Sequence, residues 1–159
     1  MKRDIIPKEV KLHRMDLSDW VWHLVRRDGD PQNTLRQIIN ERSIRGSIDR
    51  TSNETVICFS EAPLRQLINQ DAALSQNDYT RLALYGVGFK KSWLYNLGAL
   101  PVIYQPNEYL GYLDPAVRWR HVEFDLKKQI DYTWQREWRI KKDILTFDTK
   151  EVVLLVECL

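Results

Sequence analysis

Cysteine, histidine and methionine are all scarce in this chain: 2 cysteines, 3 histidines and 2 methionines in 159 residues. Both cysteines, Cys58 and Cys158, sit inside apolar runs. That excludes a disulfide framework and predicts buried thiols in a reducing compartment. With so few Cys and His no zinc-ligand spacing exists, so no metal site is expected. Long apolar stretches are missing too. The longest aliphatic run, Val-Val-Leu-Leu-Val at 152–156, falls far short of the roughly 20 residues of a membrane-spanning helix. The opening segment MKRDIIPKEVKLHRMD is charged throughout and has no apolar core of the kind a secretory signal carries. These absences predict a cytoplasmic protein without a membrane partner. Charge of one sign is also lacking. The chain has 24 Lys+Arg against 22 Asp+Glu, a formal +2, too little to argue by itself for nucleic acid. No glycine-rich dinucleotide or phosphate loop is present, which excludes those styles of nucleotide binding.

What the chain does have is an ordinary globular composition, 43% hydrophobic and 29% charged. Its length suits a single domain over 1–159 that buries a core without staples. Trp20–Arg27 reads as a β-rich run closed by the turn signal Asp-Gly-Asp-Pro. Asp30-Pro31 then forms an N-cap followed by a helix-initiating proline, with Leu35, Ile38 and Ile39 on one helical face. Glu54–Ser60 is a second strand, and Leu64, Leu67 and Ile68 mark the face of a short helix. After a polar stretch at 69–78, Leu82–Phe89 is a strand whose glycines permit close backbone approach. Lys90–Gly98 is a short helix ended by glycine. Strand-like runs follow at Pro101–Gln105, Arg118–Asp125, Trp134–Lys142 and Glu151–Leu159. The last runs up to the final residue, as in a fragment of a longer protein. Helices early and strands late predict an α+β fold, a compact mixed domain with the helices of the N-terminal half packed on a mainly antiparallel sheet.

The segment Tyr132–Lys142, YTWQREWRIKK, carries a glutamate between two tryptophans. Strand alternation sorts Trp134, Arg136, Trp138 and Ile140 to one face and Gln135, Glu137 and Arg139 to the other. The second face is either solvated, with a Glu–Arg pair, or the wall of a cleft. His23 shares a face with Val21 and Val25, and reads either as a hydrogen-bonded core histidine or as a ligand-binding group. Ser60 reads as a helix cap and Tyr85 as a packing residue, or both as parts of a site.

The order of these residues resembles that of ADP-ribosyltransferases: a first-strand His, a Cys-Phe-Ser-Glu strand end, an aromatic-bearing strand and a late glutamate in Gln135-Arg136-Glu137. The resemblance implies an ADP-ribosyltransferase-like fold and NAD as substrate. It implies that Glu137, with Gln135, stabilises the cationic transition state, that Ser60 supports the nicotinamide-side ribose, and that His23 donates to a ribose hydroxyl. Arg26 or Arg27 would pair with the pyrophosphate, and Tyr85, with Phe59 behind it, would stack on a ring. The best-studied branches carry Arg plus Ser-Thr-Ser or His plus Tyr on their early strands, whereas His23 with Cys-Phe-Ser-Glu is a mixed pattern. A second resemblance covers Trp20 to Ile140. Its ordered blocks, WHLVRR, VICFSEAPL, LYGVGFKKSWLYNLGALPVIYQP and QREWRI, look like abortive-phage-infection proteins of the AbiGi kind. That likeness implies a role in anti-phage defence or a toxin–antitoxin system, with a cognate partner.

Two other classes stay open from the residues alone. One is a non-catalytic antitoxin or interaction module using tryptophan-rich surfaces. The other is RNA or DNA binding through Arg118–His121 and Arg136–Lys142, where basic and aromatic side chains interleave. Nucleic acid or protein could equally be the acceptor of a transferase.

Overall fold

In the computed structural model, which describes residues 16–26, 28–74 and 82–157, a seven-stranded sheet forms the spine of the molecule. Its strands, in chain order, are β1 (Trp20–Arg26), β3 (Ser47–Asp49), β4 (Glu54–Ser60), β5 (Leu82–Lys90), β6 (Leu100–Pro101), β9 (Glu137–Lys141) and β11 (Val152–Leu155). They lie in the order β11-β5-β1-β4-β9-β6, with β3 added to the same edge of β4 that meets β1. Every pairing in this sheet is antiparallel. Two small ribbons complete the strands: β2 (Ser43–Arg45) with β10 (Ile144–Thr146), and β7 (Ile103–Gln105) parallel to β8 (His121–Glu123). Among the described residues the α-helices are α1 (Pro31–Glu41), α2 (Leu64–Leu74) and α3 (Lys91–Asn96). The molecule is therefore mixed α and β with a mainly antiparallel sheet, and no helix among its described residues is long and apolar enough to cross a membrane.

Local chemistry accounts for the helix ends. The Asp30 carboxylate accepts a hydrogen bond from the Asn33 N–H and Pro31 opens α1, so capping and a preset φ start the helix together. Past Leu97, Gly98 takes φ +100, and its N–H bonds to the Tyr95 carbonyl, which ends α3.

The sheet carries a core on each face. On one side Val21, Val25, Phe59, Val87, Phe89, Trp138 and Ile140 are buried together, with Ile38, Ile39 and Tyr85 packed against them. On the other, Trp22, Ala62, Leu67 and Leu155 are covered by Trp20, Leu24, Leu64 and Trp134. Alternation explains the split, because His23, Phe59 and Trp138 point one way while Trp22, Ser60 and Glu137 point the other.

Two sequence-based expectations need correction here. The strand expected over Trp134–Lys142 begins only at Glu137; Thr133–Gln135 is a 3₁₀ turn and Arg136 takes the left-handed φ of +46. Trp134 and Trp138 thus fall on opposite faces, since alternation cannot run through a turn. Arg118–Arg120 likewise belongs to a 3₁₀ turn, Pro115–Arg120, and the strand starts at His121.

Candidate functional site

Antiparallel register brings three distant segments side by side. Trp22 pairs with Ser60, and Ser60 pairs with Glu137. The Trp22–Ser60 pair is the only backbone register between β1 and β4 among the described residues. Beyond it the two strands part, because β3 takes over the same edge of β4 at Val56, Thr55 and Glu54. In the gap the His23 side chain replaces a ladder bond, with Nδ1 2.9 Å from the Cys58 carbonyl. The parted strands leave a cleft of about 560 Å³, bordered by β1, β3, β4, α1 and the Gln135–Glu137 segment. That volume lies within the usual range for a small-molecule site.

Six of the residues singled out from sequence line this cleft: His23, Arg26, Phe59, Ser60, Gln135 and Glu137. His23 and Glu137 lie on opposite faces of the sheet, and both reach the cleft because it opens through the gap between strands. Tyr85 is elsewhere. Its hydroxyl accepts from Gln32 Nε2 at 3.0 Å, and its ring borders a separate hollow between α1 and β11. Its expected stacking role in the cleft therefore has no geometric basis. Arg27 lies outside the described residues. Arg45, Ser47 and Thr34 border the cleft although nothing in their sequence context marked them.

The polar groups of the cleft are tightly engaged. A carbonyl only accepts, so His23 donates through Nδ1, and its Nε2 is the nitrogen left to accept. A ribose hydroxyl would thus donate to His23, the reverse of the expected direction. Burial holds the His23 pKa below its ordinary value, against the opposing effect of the Cys58 carbonyl. Above about pH 6.5 the folded and unfolded states are both neutral at this residue. Below it the unfolded chain takes the proton first, so stability falls with pH until the lower folded pKa is reached. His23→Asn keeps an N–H donor and does not titrate. Denaturant melts between pH 7 and 5 should show a shallower loss for this variant, and an identical slope would remove His23 as the cause.

The Ser60 hydroxyl donates to the Gln135 carbonyl at 2.6 Å and accepts from the Ala62 N–H at 3.1 Å. It therefore locks β4 to the Gln135 turn and shapes the local bend; α2 itself starts later, at Leu64. Glu137 is neither solvated nor isolated: its side chain is 12% exposed, and its Oε1 accepts from Arg139 Nε at 2.7 Å. The Glu–Arg pair expected from the i,i+2 spacing is present, but inside the protein. Its backbone N–H donates to the Tyr104 hydroxyl at 2.9 Å. The Cys58 thiol is bonded to Glu137 as well, and burial first, then the Glu137 charge, pushes its pKa up to about 12. Cys58 is therefore a protonated donor at neutral pH, unsuited to nucleophilic work.

Next to this wall, Glu61 accepts from Lys91 and, at 2.7 Å, from Trp138 Nε1. In the two segments expected to face nucleic acid, folding encloses the aromatic side chains. Trp119 and His121 are buried, and Arg118 and Arg120 bond to the carbonyls of Leu113 and Pro101. Trp138 and Arg139 are buried too, so none of these aromatics offers a face to a base. Among the described residues no group of three His, Cys, Asp or Glu is placed to hold a metal ion.

No protein-family model matches the chain, and no curated protein or solved structure matches it at a significant level.

Proposed function

We propose that this chain is an NAD-cleaving protein of the ADP-ribosyltransferase kind, serving bacterial anti-phage defence or a toxin–antitoxin pair. The observation that carries the reading is convergence. His23, Phe59, Ser60 and Glu137 are up to 114 positions apart (137 − 23), yet they border one cleft together with Arg26 and Gln135, while Tyr85 stands at a separate hollow. The strand neighbourhood β1–β4–β9 sets the histidine, serine and glutamate strands side by side, which supports a shared substrate site.

In this reading the glycosidic C1′–N bond of NAD breaks and its electron pair leaves with nicotinamide, which departs neutral. The ribose is left as an oxocarbenium ion. A hydroxyl from water or from a macromolecular acceptor adds to C1′ and releases its proton to solvent. Glu137 faces the developing positive charge in a water-poor wall, where a fixed carboxylate acts most strongly. Arg26 and Arg45 supply cations at the cleft for the pyrophosphate oxygens. His23 Nε2 accepts from a ribose hydroxyl.

Millimolar NAD should raise the melting temperature by several degrees, because a ligand at 100 times its Kd stabilises the native state by about 2.7 kcal/mol. Chromatography of the same mixture should show free nicotinamide. The rival reading is a non-catalytic interaction module, favoured by Ser60 and Glu137 both being hydrogen-bonded within the protein. A melting temperature unchanged by NAD, with no nicotinamide released, decides for the rival.

A further inference from the structure

One buried guanidinium organises the wall on which Glu137 stands. Arg139, whose side chain is 9% exposed, donates Nε to Glu137 Oε1 at 2.7 Å. Its Nη1 donates to the carbonyl of Trp119 at 3.1 Å and to that of His121 at 3.0 Å. The same Nη1 lies 3.4 Å from Asp49 Oδ1, and the Asp49 side chain is 14% exposed. Four segments therefore meet on one side chain: β9, β3, the end of the Pro115–Arg120 turn and β8. Asp49 is itself fixed, its Oδ2 accepting from the Ser52 N–H at 2.9 Å and the Ser52 hydroxyl at 2.7 Å. Every ionic contact here links side chains that water barely reaches, so the screening that weakens surface pairs is small.

The charge count sharpens the point. A carboxylate neutralised one-to-one by an arginine would be a poor partner for a cationic ribose. Here one guanidinium faces two carboxylates, Glu137 and Asp49, and the neighbouring Cys58 thiol is protonated. The buried cluster keeps a net charge of −1 on its Glu137–Arg139–Asp49 members, +1 against −2. The arginine can therefore hold Glu137 in place without cancelling the negative field on the cleft side.

We propose that Arg139 is the positioning residue for Glu137, and that Asp49 acts as its second counter-ion, keeping the clamp rigid and its net charge negative. This rests on the NAD-cleaving reading for its functional consequence, while the clamp stands on geometry alone. Arg139 does not line the cleft, so it acts on the reaction only through Glu137. Arg139→Lys keeps the charge but loses the fork that reaches Glu137, Trp119 and His121 together. Asp49→Asn is nearly isosteric and keeps an oxygen for Ser52.

The test uses both variants with the whole chain. Arg139→Lys should lower kcat for nicotinamide release 10- to 100-fold, by misplacement of the carboxylate, with KM for NAD within about twofold of wild type. Asp49→Asn should lower kcat about tenfold, again at near-constant KM. By NMR, the Nε–H proton of Arg139 should exchange with water at least tenfold more slowly than that of the exposed Arg45, and Glu137→Ala should remove the protection. Unchanged kcat in both variants overturns the positioning role, as does a loss confined to KM. If Arg139→Lys does not fold, Asp49→Asn and the exchange measurement decide. A wild-type chain that releases no nicotinamide fails the NAD reading and not the clamp, which the Nε–H exchange then judges; an unprotected Nε–H overturns the clamp in either case.

Discussion

Glu137→Gln should lower nicotinamide release from NAD by about 10²- to 10³-fold, the usual effect of deleting one preorganised charge at a transition state. The substitution changes one atom and little volume. Glutamine retains an oxygen to accept from Arg139 Nε, and the Tyr104 contact uses the backbone N–H of residue 137, which the exchange does not touch. Arg139 also keeps Asp49 as a counter-ion at 3.4 Å. Fold and NAD affinity are therefore expected to survive, with a melting temperature that still rises on adding NAD. The loss should appear in kcat and leave KM nearly unchanged, since the lost interaction forms only as charge develops. Turnover at the wild-type rate would remove Glu137 from the chemistry.

Gly86→Ala should be the most damaging of the small substitutions in the sheet. Gly86 pairs with Leu24 across β5 and β1, and a Cβ built there would stand 2.4 Å from the His23 carbonyl oxygen. That oxygen belongs to the backbone of the paired strand, so no side-chain rotation relieves the clash. The cost should be about 1–3 kcal/mol, as for overpacked sites generally. For a protein of this size that is a fall of roughly 2–12 °C in melting temperature. Because His23 moves with β1, its bond to the Cys58 carbonyl should loosen and the cleft should change shape. Gly111→Ala is the control, since an added Cβ there meets nothing within 4 Å. Equal melting temperatures for the two variants would refute the close-approach argument.

Much of the architecture was legible from residue pattern. Glu54–Ser60 is the strand its β-branched run predicts, and Asp30-Pro31 caps α1 as the residue types require. The alternation that sets Glu137 and Arg139 on one face and Trp138 and Ile140 on the other holds from Glu137 onward. Upstream it fails, because Arg136 takes a left-handed conformation and its carbonyl receives the Glu61 N–H. The turn has a local cap, the Asp131 carboxylate accepting from the Thr133 N–H and hydroxyl, and the Glu61 N–H from the loop leaving β4 ties its far end. The short strands β2, β3 and β10 were illegible. They span three residues each and exist only through their partners, too short for any period to show.

For the candidate site the division follows sequence separation. The i,i+2 spacing of Glu137 and Arg139 announces a pair, and the chemistry of each side chain is fixed by its type. Whether that pair is solvated or enclosed depends on Trp119, His121 and Asp49, which arrive from 16 to 90 positions away (137 − 121 to 139 − 49). Tyr85 shows the opposite failure: an aromatic on an apt strand, drawn to another hollow because its face of β5 packs against α1. The sequence by itself determined the longer helices and strands, most of their amphipathic faces and the inventory of charges, because these depend on neighbours a few bonds away. Only the tertiary structure decided that β1 and β4 part beyond Trp22 and Ser60, and so which side chains share a cleft. Strand separation depends on how β3 and His23 compete for one edge of β4, and contacts of that range leave no periodic trace in the chain.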